Sequence, residues 1–84
     1  MVVERFDYLV CTCQSAKVTW VNGQWQGTLP LSTDPNESAR LMESCPATWD
    51  FLNEMGREGW ELVAAYAVTV EQYTHEKMIL KRHL

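Results

Sequence analysis

Eighty-four residues make one domain with no room for a second core, and a chain this short buries only about 60–65% of its unfolded surface, so its stability is marginal without help such as oligomerisation. A net charge of −4 argues against nucleic acid as a partner, because gripping phosphates needs a clustered basic surface and the one basic cluster is Lys81-Arg82-His83. Three cysteines, Cys11, Cys13 and Cys45, form an odd set, and the first two stand too close along one strand to bridge comfortably; a reducing compartment fits them best. No apolar run is long enough to span a bilayer, and Glu4 and Arg5 interrupt the start. The expected setting is cytoplasmic, with no membrane partner.

Phe6 to Cys13 reads as the first strand, with Phe6, Tyr8 and Val10 on one face and Leu9 and Cys11 on the other. Apolar residues on both faces suit an interior strand or one flanked by a partner. Asn22-Gly23 is the clearest turn, since both residues tolerate the positive φ of a two-residue type I′ hairpin. That turn sets Val21 opposite Gln24 and Trp20 opposite Trp25, at a position where side chains approach closely. It also predicts Val18 and Leu29 on the face of the two tryptophans.

Asp34-Pro35-Asn36-Glu37 has the form of a helix start, with Asp34 as cap and Pro35 at the first helical position. Ala39 to Glu43 would complete about two turns, although so short a helix is marginal in water and a loop is the alternative. Pro46 opens the main predicted helix, running to Met55 with Ser44 or Cys45 as cap. Its apolar arc of Ala47, Trp49, Phe51, Leu52 and Met55 is broad enough to lie flat on a sheet, and Trp49 and Trp60 are expected in the core beneath it. A long strand follows from Trp60 to Val70, with Trp60, Leu62, Ala64, Tyr66 and Val68 on one face. Tyr73-Thr74-His75 belongs to a turn, and Glu76 to Arg82 returns as the last strand. The expected fold is α+β, an antiparallel sheet of about five strands with one main helix packed on one face.

Between that helix and the long strand lies Leu52-Asn53-Glu54-Met55-Gly56-Arg57-Glu58-Gly59-Trp60-Glu61-Leu62-Val63. Gly56 is read as the left-handed cap past the last apolar helical position. Gly59 is read as the reversal before Trp60, where a side chain would obstruct the return. The pattern L-N-x-x-G-x-x-G-W-E-L-V, with a last strand ending in Leu80-Lys81-Arg82, resembles a small family of bacterial and phage proteins known only as a domain of unknown function. The resemblance covers Asp50 to Val63 well, and Phe6 to Val10 and Met78 to Arg82 loosely. It implies a single α+β unit with an aromatic first strand, one central helix and two closing strands. Gly56, Gly59, Trp60 and Glu61 enter it as structural positions, and it brings no catalytic residues with it. Lys17 to Glu43 is longer than a minimal member of that family requires.

Chemistry-bearing residues are sparse. Cys11-x-Cys13 lacks the spacing of paired zinc ligands, so no metal and no cofactor are expected, and the thiols read as small hydrophobes. Cys45 near a helix start, with His75, could make a nucleophile pair, yet spacing identifies neither an oxyanion site nor an orienting third residue. Glu54, Glu58 and Glu61 surround a turn rather than a cleft, and Glu61 is expected to pair with Lys81 or Arg82. The aromatic residues are the better candidates. Trp20, Trp25, Tyr66 and Tyr73 could form a protein interface or line a ligand pocket, and for Trp20 and Trp25 the equal alternative is that the hairpin folds back and they fill the monomer's own core. The leading expectation is a non-enzymatic interaction module, a homo-oligomer formed through strand edges and apolar faces. The alternative is a small-molecule binding or sequestering protein with an aromatic-lined pocket.

Overall fold

Two-residue turns join most of the strands, and they dictate an antiparallel sheet. The computed structural model describes residues 3–84. Its strands are β1 (Phe6–Gln14), β2 (Lys17–Val21), β3 (Gln24–Trp25), β4 (Glu61–Val70) and β5 (Tyr73–His83), in the spatial order β3-β2-β1-β5-β4. Asn22 and Gly23 have φ of 49° and 79°, and the hairpin pairs Trp20 with Trp25 and Val21 with Gln24. The resulting α+β fold carries two helices, α1 (Ser38–Glu43) and α2 (Thr48–Arg57), with a 3-10 turn at Pro35–Glu37 leading into the first. Asp34 caps that turn as the sequence predicts, its Oδ1 accepting from Asn36 N at 2.9 Å.

The helix α2 starts two residues later than Pro46. Pro46 O accepts from Val18 N at 2.9 Å, and Ala47 forms a β-bridge with Lys17, so this stretch is extended along β2 before it coils. Helical rotation of about 100° per residue then turns Phe51, Leu52 and Met55 to the sheet. Trp49, two residues before Phe51, points away and is 76% exposed. Its expected place in the core is therefore corrected. Trp60 does pack against the core, with the Arg82 guanidinium 4.5 Å from its ring.

That core consists of Cys11, Cys13, Val18, Phe51, Met78 and Leu80. It forms because Leu9 and Cys11 of β1 stand opposite Leu80 and Met78 of β5, presenting one apolar row to α2. Two β-bulges redistribute the other side chains. One, on β2 at Thr19, pairs Trp20 with Thr12 but Val18 with Cys13, so Val18 and Trp20 lie on opposite faces, contrary to simple alternation. The Thr19 hydroxyl, buried in that bulge, donates its one proton toward Gln14 Oε1 at 2.8 Å, with Thr12 O a second acceptor at 3.2 Å. The second bulge, at Val63, pairs Leu62 with Leu80 but Ala64 with Ile79. Leu62, Ala65, Ala67 and Thr69 thus share the face of α2, while Ala64, Tyr66, Val68 and Val70 lie on the opposite face. The single-face row predicted from Trp60 to Val68 is broken there.

The helix end differs from the sequence reading as well. Trp60 N donates to Met55 O and Gly59 N to Gly56 O, each at 3.0 Å. These two bonds define a Schellman motif whose left-handed residue is Gly59, at φ +91°, and both Met55 and Trp60 pack against the core. Gly56 lies inside α2 and caps nothing. A Cβ on Gly59 would meet nothing closer than Arg82 Cδ at 3.6 Å, so its backbone angle, not crowding, calls for glycine. Finally, the β4–β5 turn is Glu71-Gln72, with Glu71 at φ 57°, and Tyr73-Thr74-His75 begin β5 rather than forming a turn.

The molecule is extended, measuring 55 × 28 × 19 Å with a radius of gyration of 14.5 Å. A compact chain of this length reaches about 12 Å. The excess lies in the β4–β5 hairpin, where every residue from Ala67 to Thr74 except Val68 is exposed.

Candidate functional site

Strand β4 ends the sheet at the side away from β3, so among the described residues one side of its backbone has no neighbouring strand. From Leu62 to Val70 it carries no charged residue and no proline, two of the devices that keep an edge from pairing with another chain; a third, a bulge, is confined to Val63 at the start of the stretch. Leu62 and Val63 are each 43% exposed, Tyr66 50%, Val70 58% and, just across the turn, Tyr73 68%.

The direction of its free hydrogen-bonding groups follows from the turn. Val70 and Tyr73 flank a two-residue loop and so form a hydrogen-bonded pair. Thr69 and Thr74 make the next pair, of the type whose side chains meet, and their hydroxyls are 3.0 Å apart. Alternation continues down the strand: Val68, Tyr66 and Ala64 turn N–H and C=O toward β5. Thr69, Ala67 and Ala65 turn theirs outward, six groups in a row on an open edge.

Behind this edge, on the face away from α2, lie Tyr66, Val68 and Ala64, then Lys77 and Ile79 of β5, then Tyr8 and Val10 of β1. Tyr8 and Val10 are exposed too. Lys77 Nζ donates to Thr12 Oγ1 at 2.7 Å, and the Lys81 ammonium sits 4.7 Å from the Phe6 ring centre. Glu61 stands directly opposite Lys81 in the register, yet that ammonium is engaged with Phe6; the acidic partner of Arg82 is Asp7, at 3.8 Å.

Trp20 and Trp25 lie toward the other edge of the sheet. Their ring centres are 5.5 Å apart in an edge-to-face arrangement, and Trp25 Nε1 donates to Leu29 O. The chain after β3 folds back over them: Leu31, Leu41 and Met42 join both tryptophans around a cleft of about 200 Å³. Gly27 permits that return, because a Cβ there would fall 2.5 Å from the Trp25 ring and from Ser44 Oγ. The structure therefore separates the four aromatic candidates into two pairs. Tyr66 and Tyr73 border the open edge, while Trp20 and Trp25 sit half-buried beneath the chain's own segment.

All three cysteines are buried and free. Burial pushes the Cys11 thiol up to about 11, the adjacent Cys13 adding to the effect, and burial likewise raises Cys13 and Cys45. Thr48 Oγ1 is buried with no hydrogen-bond partner among the described residues, and its hydroxyl near the Cys13 thiol partly offsets the rise there. The groups acting on Cys45 are Lys17 and Ser44, not His75. Among the described residues no three His, Cys, Asp or Glu side chains gather as metal ligands, and no helix is long and apolar enough to cross a membrane. Raised thiol pKa values have a measurable consequence. An unfolded thiol, near 8.5, loses its proton at a pH where the folded Cys11 keeps it, so stability is full below that value and falls as pH rises toward about 11. Urea midpoints measured at pH 7, 9 and 10.5 are expected to decline in that order, with a shallower decline in Cys11→Ala.

With this geometry defined, a scan against protein-family models, a search of curated proteins and a search of solved structures each return no match to the chain.

Proposed function

We propose that the protein is a non-enzymatic interaction module that associates with itself through the β4 edge. The observation that carries this reading is the nine-residue uncharged strand Leu62–Val70, exposed at the end of the sheet with its outward backbone groups unpaired. Isolated edges of this kind are templates for another strand. The extended shape supports it, because the projecting hairpin buries little of its apolar surface within one chain. Raised thiol pKa values favour a structural role for the cysteines, since a nucleophilic thiol needs the opposite shift. A cytoplasmic setting and the resemblance of Leu52–Val63 to the domain of unknown function belong to the same proposal. The small-molecule alternative has less support: the cleft at Trp20 and Trp25, about 200 Å³, falls below the ~300–1,000 Å³ of typical ligand pockets, and the larger clefts, of about 320 to 480 Å³, have no aromatic side chain in their walls.

Light scattering over a dilution series of Tyr66→Glu tests the reading. Residue 66 lies opposite Lys77 on β5, so the new carboxylate gains an oppositely charged neighbour within the monomer while placing charge on the open strand. The wild type is expected to approach twice the chain mass of 9.7 kDa as concentration rises, and the variant to stay at the monomer mass with an unchanged circular dichroism spectrum. A wild type that remains monomeric throughout ends the proposal.

A further inference from the structure

The sequence of outward-facing groups on β4 defines more than a preference for self-pairing; it defines a register. We propose that two copies join β4 to β4 antiparallel about a twofold axis at Ala67, forming one continuous ten-stranded sheet. This inference rests on the self-association reading and names its geometry.

In this arrangement Ala67 faces Ala67 of the second copy, and Ala65 and Thr69 face Thr69 and Ala65. All six free N–H and C=O groups of each strand's outward row then find partners, because residues 65, 67 and 69 are symmetric about 67. Moving the strands by two residues strands Thr69 against the Val63 bulge or Ala65 against the turn at Glu71, leaving groups of the row unpaired. Moving them by one sets outward groups against inward ones. A twofold axis requires a self-complementary patch, and Ala67 is the one centre that uses the whole row.

The side chains agree with that centre. On the face carrying α2, the seam is lined by Ala65, Ala67 and Thr69, small enough for two backbones to approach as close neighbours. On the opposite face, Tyr66 of each copy meets Val68 of the other, and Ala64 meets Val70, in pairs whose side chains come closest. Uncharged strand thus meets uncharged strand, and no like charges face each other between Leu62 and Val70. Leu62, Val63, Tyr66, Val70 and Tyr73 are 43–68% exposed, Leu62 on the face of α2 and Tyr66, Val70 and Tyr73 on the other, so both faces beside the seam offer apolar side chains to the second copy. The long hairpin of each copy would lie beside the helix-covered half of the other, which accounts for an extended monomer.

Amide hydrogen exchange read by NMR on the wild type, with mass measured on the same samples, tests the register. At concentrations giving dimer, the amides of Ala65, Ala67 and Thr69 are expected to exchange about ten-fold or more slowly than in dilute monomer, while those of Ala64, Tyr66 and Val68, already held by β5, change far less. Ala67→Lys, which sets two ammonium groups face to face across the axis, is expected to be monomeric with a wild-type circular dichroism spectrum. A dimer whose Ala65, Ala67 and Thr69 amides exchange as freely as in the monomer overturns the register and leaves self-association standing. A dimeric Ala67→Lys likewise overturns the register, and a wild type that never dimerises overturns both readings.

Discussion

Leu80→Ala is expected to lower the free energy of unfolding by about 2–5 kcal/mol, as truncation of a fully buried leucine does when its surroundings relax only partly. Leu80 is 1% exposed, and the register sets it between Leu9 of β1 and Leu62 of β4 on the face that α2 covers. The cavity would therefore open at the junction of three strands and a helix, where no flexible loop can collapse into it. Small domains have only about 5–15 kcal/mol in hand, so the variant could populate the unfolded state at ordinary temperature. Val70→Ala is the matching control: at 58% exposure near the hairpin tip, it is expected to change the stability of the monomer by no more than ~0.5 kcal/mol. Urea unfolding at monomeric concentration measures both. A Leu80→Ala loss under about 1 kcal/mol would place the core elsewhere.

Two glycines three residues apart are expected to respond with opposite signs. Gly59 holds φ at +91° as the left-handed residue of the helix terminus, a conformation that costs an alanine about 1–2 kcal/mol. Gly56 lies within α2, where a Cβ would meet nothing within 4 Å, and alanine there is expected to stabilise by about 0.5–1 kcal/mol. The same urea titration applied to Gly56→Ala and Gly59→Ala reads the difference. Equal losses in both variants would restore Gly56 to a capping role and contradict the hydrogen bonds Trp60 N to Met55 O and Gly59 N to Gly56 O.

Much of the sheet was legible where turn chemistry and alternation agree. Asn22-Gly23 announced its hairpin, and with it the Trp20–Trp25 pair, because few other residues accept two consecutive positive φ values. Asp34-Pro35 likewise announced a helical start, although sequence left helix and loop equally open for the segment that became α1. The errors have specific causes. Ser15 and Ala16 at φ 50° and 60°, and Glu71 at 57°, make tight turns from residues that carry no turn signal, so the β1–β2 turn was unmarked and the start of β5 was placed too late. The bulges at Thr19 and Val63 leave no compositional trace, yet each transfers everything beyond it to the other face. Pro46 looked like a first helical residue because proline suits both that position and the extended bridge segment it occupies.

The site was legible only in part. Tyr66 and Tyr73 were identified for their aromaticity, but their location at an open edge depends on strand order, which pairwise patterning does not determine. The available signal is different: nine consecutive uncharged residues in a strand, which reads as burial and here forms an edge without charge or proline. Alternation does place Ala65 and Ala67 on a small-residue face that the helix or another subunit can approach closely, whereas Thr69 carries no such signal. Their part in the proposed seam belongs to the backbone, and their side chains matter by being small.

Native mass spectrometry of gently purified protein tests self-association most directly, because one spectrum reports the assembly and anything retained with it. A dimer at twice the 9.7 kDa chain mass with no added mass is expected. A monomer at every concentration, or a monomer carrying the extra mass of a small molecule, would contradict it and move attention from the β4 edge to the cleft at Trp20 and Trp25.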